Sequence, residues 1–275
     1  MRENTKQPSI TWRDPERALS KINTLLNVDQ VIIVADYDGT FTPAAGGNWH
    51  IMRNVLPQSG QLKHKALYNE YFPLECSGQL TDEKNRQWSS QALDLHVEHG
   101  TKLESLEQAM DNSELRPGAT DFIESCRALG MPLIVVSAGV ETAIRLAAKK
   151  HKLAIDNVIA VRLDFDENNT IKSWNKESLI IPNNKREKLQ LELEKRTDKG
   201  RTGFIVIGDK LHDANMVMAD EVNNYDKGSI LRIMVGVDKA DFTDKSSEIW
   251  KAGFDGVVIG EELYALLDLT QKLSK

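Results

Sequence analysis

The chain has 275 residues, with 35 Lys and Arg against 41 Asp and Glu, giving a formal net charge of −6 and a pI near 5.6. This balance lacks the basic field of a general nucleic-acid binder, and the longest apolar runs, VIIVA and MPLIVV, fall far short of the roughly 20 residues that span a bilayer. The two cysteines, Cys76 and Cys126, exclude a disulfide scaffold and a Cys-based metal cluster. The N-terminal stretch MRENTKQPSITWRD carries no apolar run of signal-peptide type. The expectation is a cytoplasmic globule with neither nucleic-acid nor membrane partner, its oligomeric state open. At about 150 residues per domain, the length admits one large domain or a core with an insertion.

Asp14 is placed to cap a helix with Pro15 at its first position, ahead of Ala18, Ile22, Leu25 and Leu26 at helical spacing. VIIVA (31–35) follows, a β-branched run without polar alternation, which predicts a strand buried on both faces. Residues 45–114 then hold only polar, helix-prone stretches, from a Gly-rich turn at 44–47 to the LRPG segment at Arg116, Pro117 and Gly118. A βα connection rarely needs that length, so 45–114 is expected to be an inserted helical cap. Residues 1–44 and 115–275 are expected to form the core. Further strands are expected at 132–139, 157–161, 204–209, 230–237 and 256–260, with helices near 119–129, 141–151 and 185–198. This alternation predicts an α/β fold: a doubly wound parallel sheet with helices on both faces.

Ligands in such sheets bind at the carboxyl ends of the strands, and three of these ends are polar. After VIIVA come Asp36, Tyr37, Asp38, Gly39 and Thr40. Two carboxylates there are costly unless a cation or substrate uses them. After LIVV come Ser137, Ala138 and Gly139, small residues ahead of a helix start, a setting suited to a phosphate. After FIVI come Gly208 and Asp209, then Lys210, His212 and Asp213, where one carboxylate suits a metal and the other orients a ligand or water. Lys185 opens a helix between the second and third of these. Each motif alone is weakly specific, and a redox dinucleotide site is disfavoured because no G-x-G-x-x-G follows the first strand. His96 and His99 lie at no zinc-ligand spacing with carboxylates, and a surface place is expected for His96. Cys76, Cys126, Met216, Met218 and Trp250 read as packing residues.

Taken in order, Asp-x-Asp-x-Thr, Ser, Lys and Gly-Asp-x-x-x-Asp resemble the four-motif layout of the haloacid-dehalogenase-like phosphohydrolases. LRPGATDFIESCRALGMPLIVVSAGV, LDFDENNTIKSWNKESLIIPNNKREKL and FIVIGDKLHDANMVMADEV further resemble the cytosolic pyrimidine 5′-nucleotidases, type III. LDFDENNTIKSW is the most telling, since it holds no catalytic motif. The resemblance covers roughly residues 31–260. It implies a phosphoric monoester hydrolase acting on nucleoside 5′-monophosphates, with Asp36 as a nucleophile that becomes phosphorylated and Asp38 as general acid and base. It implies Mg²⁺ held by Asp36, the backbone carbonyl of Asp38 and Asp209. Ser137, the Ala138 amide and Lys185 would hold phosphoryl oxygens, Thr40 would bond a phosphate or pin its loop, and Asp213 would orient a metal-bound water or Lys185. YFPLEC (71–76) resembles that family's cap strand or turn with a base-facing Glu, which would be Glu75; Trp49 and Trp88 lie near but do not match its aromatics.

Gly39 stands where that family usually carries a bulky residue, and Lys210 where a small one is usual. Two alternatives follow: the same chemistry on another small phosphomonoester, such as phosphoserine or a sugar or cofactor phosphate, or a catalytically silent binding protein.

Overall fold

The computed structural model describes residues 9–43, 47–196, 200–218 and 230–274. Among the described residues a seven-stranded sheet carries the fold, in the order β1-β9-β8-β7-β2-β3-β4. Its strands are β1 (Ile10–Trp12), β2 (Gln30–Ala35), β3 (Leu133–Val140), β4 (Asn157–Val161), β7 (Thr202–Gly208), β8 (Ile230–Val237) and β9 (Gly256–Ile259). All neighbours pair in parallel except β1, which runs antiparallel to β9 at the edge. Helices are α1 (Pro15–Leu25), α2 (Asn48–Val55), α3 (Gln58–Cys76), α4 (Asp82–Glu98), α5 (Leu103–Met110), α6 (Ala119–Ala128), α7 (Glu141–His151), α8 (Lys185–Leu193), α9 (Lys239–Ala252) and α10 (Tyr264–Leu273).

The central strands read as expected for double-sided burial. Along β2, Val31, Ile33 and Ala35 enter one hydrophobic cluster and Ile32 and Val34 the other; β7 repeats this with Ile205 and Ile207 against Phe204 and Val206. This is the period-2 alternation of a strand between two layers, where each buried Ile or Val contributes roughly 1.5–3 kcal/mol. Asp14 caps α1 by accepting from Arg17 N at 3.0 Å, with Pro15 leading the helix.

Among the described residues, four helices, α2 to α5, lie between β2 and α6. The expected boundary at 44/45 lies outside the described residues. Ile51 and Met52 of α2 and Leu106 and Met110 of α5 belong to the main core cluster, whereas α3 packs on α4. The LDFDENNTIKSW segment forms a hairpin, β5 (Leu163–Phe165) with β6 (Ile171–Trp174). The hairpin braces α4: Trp174 Nε1 donates to Asp94 Oδ1 at 2.8 Å.

Several expectations need correction. YFPLEC is neither strand nor turn; it is the last part of α3, with Pro73 inside the helix. His96 is fully buried, and its Nδ1 meets Thr101 Oγ1 at 3.0 Å. Cys76 is exposed, while Cys126 is buried and its thiol is pushed up to about 12 by burial. The helix expected over 185–198 ends at Leu193, and residues 197–198 lie outside the described residues.

Candidate active site

The chain runs out from β2 through β3 to β4, then returns to β7 on the other flank of β2. The strand order therefore reverses between β2 and β7, and the crevice at such a point is where open α/β sheets bind ligands. Asp36 and Asp209 directly follow those two strands, and Asp36 N still donates to Ile207 O at 3.0 Å. Ser137 lies within the neighbouring strand β3, which runs through Ala138 and Gly139 to Val140, so α7 begins later than the Ser turn.

Lys185 is the hub. It opens α8 and is 2 % exposed. Its Nζ lies 2.9 Å from Asp36 Oδ2 and 2.8 Å from Asp213 Oδ1. Asp36 Oδ1 accepts from Tyr37 N at 2.8 Å, and Asp213 Oδ2 accepts from Lys210 N at 3.0 Å. Burial alone would lower the Lys185 ammonium, but Asp213 and Asp36 outweigh it and hold it above its usual range. Burial pushes the Asp36 carboxyl up to about 7 against the pull of Lys185. It pushes Asp209 up to about 6, helped by Asp213. Asp213 stays low despite burial because Lys185 and His212 face it.

Asp38 is held separately. Its Oδ1 accepts from Asn48 N, the first residue of α2, at 2.8 Å, and burial lifts the carboxyl to about 7. Gly139 gives it room, since a Cβ there would sit 3.0 Å from Asp38 Oδ2 and 3.2 Å from Ser137 Oγ. Gly39 has φ +80°, and a Cβ there would come within 2.3 Å of Asp209 Oδ2, so glycine suits both the turn and the close approach. Thr40 is fully buried with its Oγ1 3.4 Å from Asp209 Oδ1. Lys210 Nζ lies 3.7 Å from Asp209 Oδ2.

Two residues not singled out as site residues belong here. Arg116 is 2 % exposed and donates from Nε and Nη2 to Gly39 O at 3.0 and 2.9 Å, with Nη1 on Glu261. Its only sequence signal was its place in LRPG. Asn48 Nδ2 is buried beside Gly139 with no hydrogen-bond partner among the described residues, a free donor between Asp38 and Ser137. No local pattern marks it.

Glu75 is exposed at the end of α3, apart from this network. It belongs to an aromatic face on which Tyr68 stacks on Phe72 at 4.5 Å and meets Trp88 at 6.3 Å. Burial raises the Tyr68 hydroxyl above its usual value, with the nearby Cys76 and Glu75 adding to the shift. Trp49 instead packs against the main core cluster.

A family model described as pyrimidine 5′-nucleotidase (UMPH-1) matches residues 36–270. The chain belongs to the pyrimidine 5′-nucleotidase family. It is thus a phosphoric monoester hydrolase of the 5′-nucleotidase type, and its substrate is a small phosphomonoester. The 7-methylguanosine phosphate-specific 5′-nucleotidase A of Xenopus laevis is 27 % identical, over 92 % of this chain and 91 % of that protein. The crystal structure of cytosolic 5′-nucleotidase IIIB bound to cytidine shares the fold with a TM-score of 0.78 at 19 % identity, covering 98 % of this chain and 95 % of that one. A phospho-aspartyl intermediate analogue of phosphoserine phosphatase shares it at 0.55 and 18 % identity, over 87 % of this chain and 98 % of that one.

Within this nucleotidase-type centre, Asp36, Asp209 and Asp213 form a group whose ligand oxygens lie within 4.8 Å of one another. Hard carboxylate oxygens, buried with one cation among them, fit a divalent metal ion.

Proposed function

We propose that the chain is a Mg²⁺-dependent phosphohydrolase of nucleoside 5′-monophosphates that works through a phosphorylated Asp36. The observation that carries this reading is the setting of Asp36. Its carboxylate is fixed by Lys185 Nζ at 2.9 Å and Tyr37 N at 2.8 Å beside Asp209, where the strand order reverses. The phospho-aspartyl analogue on the same fold supports the choice of nucleophile.

Asp36, Asp209 and the backbone carbonyl of Asp38 would hold the metal. Asp213, which accepts from Lys185 Nζ at 2.8 Å and from Lys210 N at 3.0 Å, positions Lys185. The ion supplies charge that lets an anionic nucleophile approach a phosphate dianion. Asp36 attacks phosphorus. Asp38 donates its proton to the departing alkoxide and then takes one from the water that cleaves the aspartyl phosphate. Ser137 Oγ, the Ala138 amide, Lys185 and Asn48 Nδ2 hold the phosphoryl oxygens as charge spreads over them. Thr40, buried against Asp209, pins the loop.

Residues 45–114 act as the cap in this reading, with α2 and α5 as its base and α3 and α4 reading the leaving group. Tyr68, Phe72 and Glu75 supply the face for a base, the aromatics by stacking and Glu75 by accepting from ring N–H groups. Cytidine in the solved structure and 7-methylguanosine phosphate in the relative's name support a nucleotide. The word cytosolic in the former supports a cytoplasmic place.

The test is a panel of CMP, UMP, 7-methyl-GMP, AMP, phosphoserine and sugar phosphates with Mg²⁺ and with EDTA. Preference for a nucleotide, lost on chelation, is expected. Preference for phosphoserine or a sugar phosphate would overturn the substrate, and turnover after exhaustive chelation would overturn the metal. No hydrolysis of any phosphomonoester would leave the silent binding protein. Hydroxylamine-sensitive phosphate trapped on the protein by rapid quench is expected, and its absence during turnover would remove Asp36 from its role.

A further inference from the structure

A charged cavity, of about 390 Å³, opens against α1, β8 and the turn before β9. None of Asp36, Asp38, Ser137, Lys185, Asp209 or Asp213 lines it. Its volume lies within the roughly 300–1,000 Å³ of small-molecule pockets.

Its ionisable lining is Arg13, Arg17, Lys21 and Arg232 against Asp14 and Asp255, four cations less two acids, a surplus of two positive charges. The whole chain has a net charge of −6, so this surplus is a local arrangement. Both acids are already engaged. Asp14 caps α1 through Arg17 N at 3.0 Å. Asp255 takes Lys21 Nζ on both oxygens at 2.7 Å and Arg232 N at 2.9 Å.

The cations retain free donors. Arg17 makes no side-chain hydrogen bond or ion pair among the described residues. Arg13 uses Nη1 on Trp250 O at 2.9 Å, and its remaining guanidinium N–H groups have no partner among the described residues. Arg232 donates from Nε to Ala214 O at 2.7 Å and from Nη2 to Val217 O at 2.9 Å, leaving Nη1 without a partner among the described residues. Lys21, only 7 % exposed, is held in place at the floor. Burial lowers both Lys21 and Arg232 from their usual values, so an added anion would relieve a cost the fold carries. Guanidinium forks with spare N–H groups match phosphate oxygens in geometry as well as charge.

We propose that this cavity is a second binding site, for a phosphate-bearing small anion, separate from the carboxylate centre. It has a physical route to that centre. Arg232 holds the carbonyl of Ala214, the residue after Asp213, and Asn215 of the same short 3-10 turn (Leu211–Asn215) lines the cavity. A ligand that draws on Arg232 therefore acts on the segment that positions Lys185, and coupling of this kind is reciprocal.

The test is calorimetric titration of the full chain in EDTA with inorganic phosphate, pyrophosphate and ribose 5-phosphate, on wild type, Arg17→Glu, Arg13→Glu and Ser137→Ala. Expected is one binding event that Arg17→Glu and Arg13→Glu each weaken by roughly tenfold or more and that Ser137→Ala leaves unchanged. The three probes separate a free phosphate from a phosphorylated organic ligand. No binding of any probe to wild type, binding indifferent to both Arg changes, or binding lost in Ser137→Ala would overturn the proposal. Arg13 and Arg17 are exposed, so these variants are expected to fold, and circular dichroism checks this. Should either fail, Arg17→Gln takes its place under the same criterion. The route to the centre is read separately, as a change in kcat/KM on adding the bound probe that wild type shows and Arg17→Glu does not.

Discussion

The carboxylate centre and the inserted helices bury polar side chains to similar depth and treat them in opposite ways. In the centre, Lys185 meets Asp36 and Asp213 within 2.9 Å, and backbone N–H groups take the remaining oxygens. In α3 and α4, His64 and His96 are equally enclosed, yet both ring nitrogens of His64 and Nε2 of His96 have no hydrogen-bond partner among the described residues. An imidazole sheds its charge near neutral pH at little cost, and burial holds His96 down at about 4 and lowers His64. The centre instead needs its charges, so each must be compensated in place. One region is locked by buried ion pairs; the other buries neutral imidazoles, keeps its ion pair Lys63–Glu98 at the surface and leaves its aromatic face open. Changes in the first should therefore abolish chemistry on every substrate, while changes in the second should redistribute it.

The largest expected effect is that of Asp36→Asn. Turnover of all phosphomonoesters should fall by at least about a thousandfold, with an unchanged circular dichroism spectrum. Full activity would break the assignment. Lys185→Met comes next, with a loss of roughly 10²–10³ in kcat. It also leaves Asp36 and Asp213 buried without their cation, so thermal stability should drop by several degrees at pH 8 and recover partly on acidification as the carboxyls protonate. An unshifted Tm would show the ion pairs to be dispensable.

Glu75→Ala and Tyr68→Ala should alter the ratio of kcat/KM between a nucleotide and a small aryl phosphate by roughly tenfold, the scale of one stacking or hydrogen-bond contact. Equal losses on both substrates would erase the contrast between the two regions. The smallest effect concerns pH. An unfolded His binds its proton near pH 6.5, whereas His96 in the fold does so only near 4. The unfolded chain gains the proton first on acidification. The stability due to the neutral buried form is complete above about pH 6.5 and is lost toward pH 4, by roughly 2–3 kcal/mol for this residue. Chemical denaturation of wild type and His96→Gln across that window measures it, since the variant should lack this share of the slope; parallel curves would contradict it.

Much of the centre was legible because its residues follow strands that announce themselves. VIIVA and FIVI are continuous β-branched or aromatic runs, and a carboxylate directly after such a strand must lie at its carboxyl end. Lys185 was legible only through its order among the motifs, since its own helix is highly charged and looks solvated. The hairpin at β5 and β6 was missed because three or four residues with broken alternation carry no period. YFPLEC misled because its strand-or-turn reading came from the family resemblance, whereas here the segment completes α3 with Pro73 inside the helix.

Local sequence therefore determined that Asp36 and Asp209 follow buried strands and that the sheet is mostly parallel, because backbone period and burial are properties of contiguous segments. Partnerships across the chain were decided only by the tertiary structure. Arg116 reaches Gly39 across 77 positions, and Lys21 reaches Asp255 across 234. No local pattern encodes such pairs. Their geometry exists only once the sheet order brings β9 and α1 to one side and closes β7 on β2, gathering carboxylates at one place and cations at another.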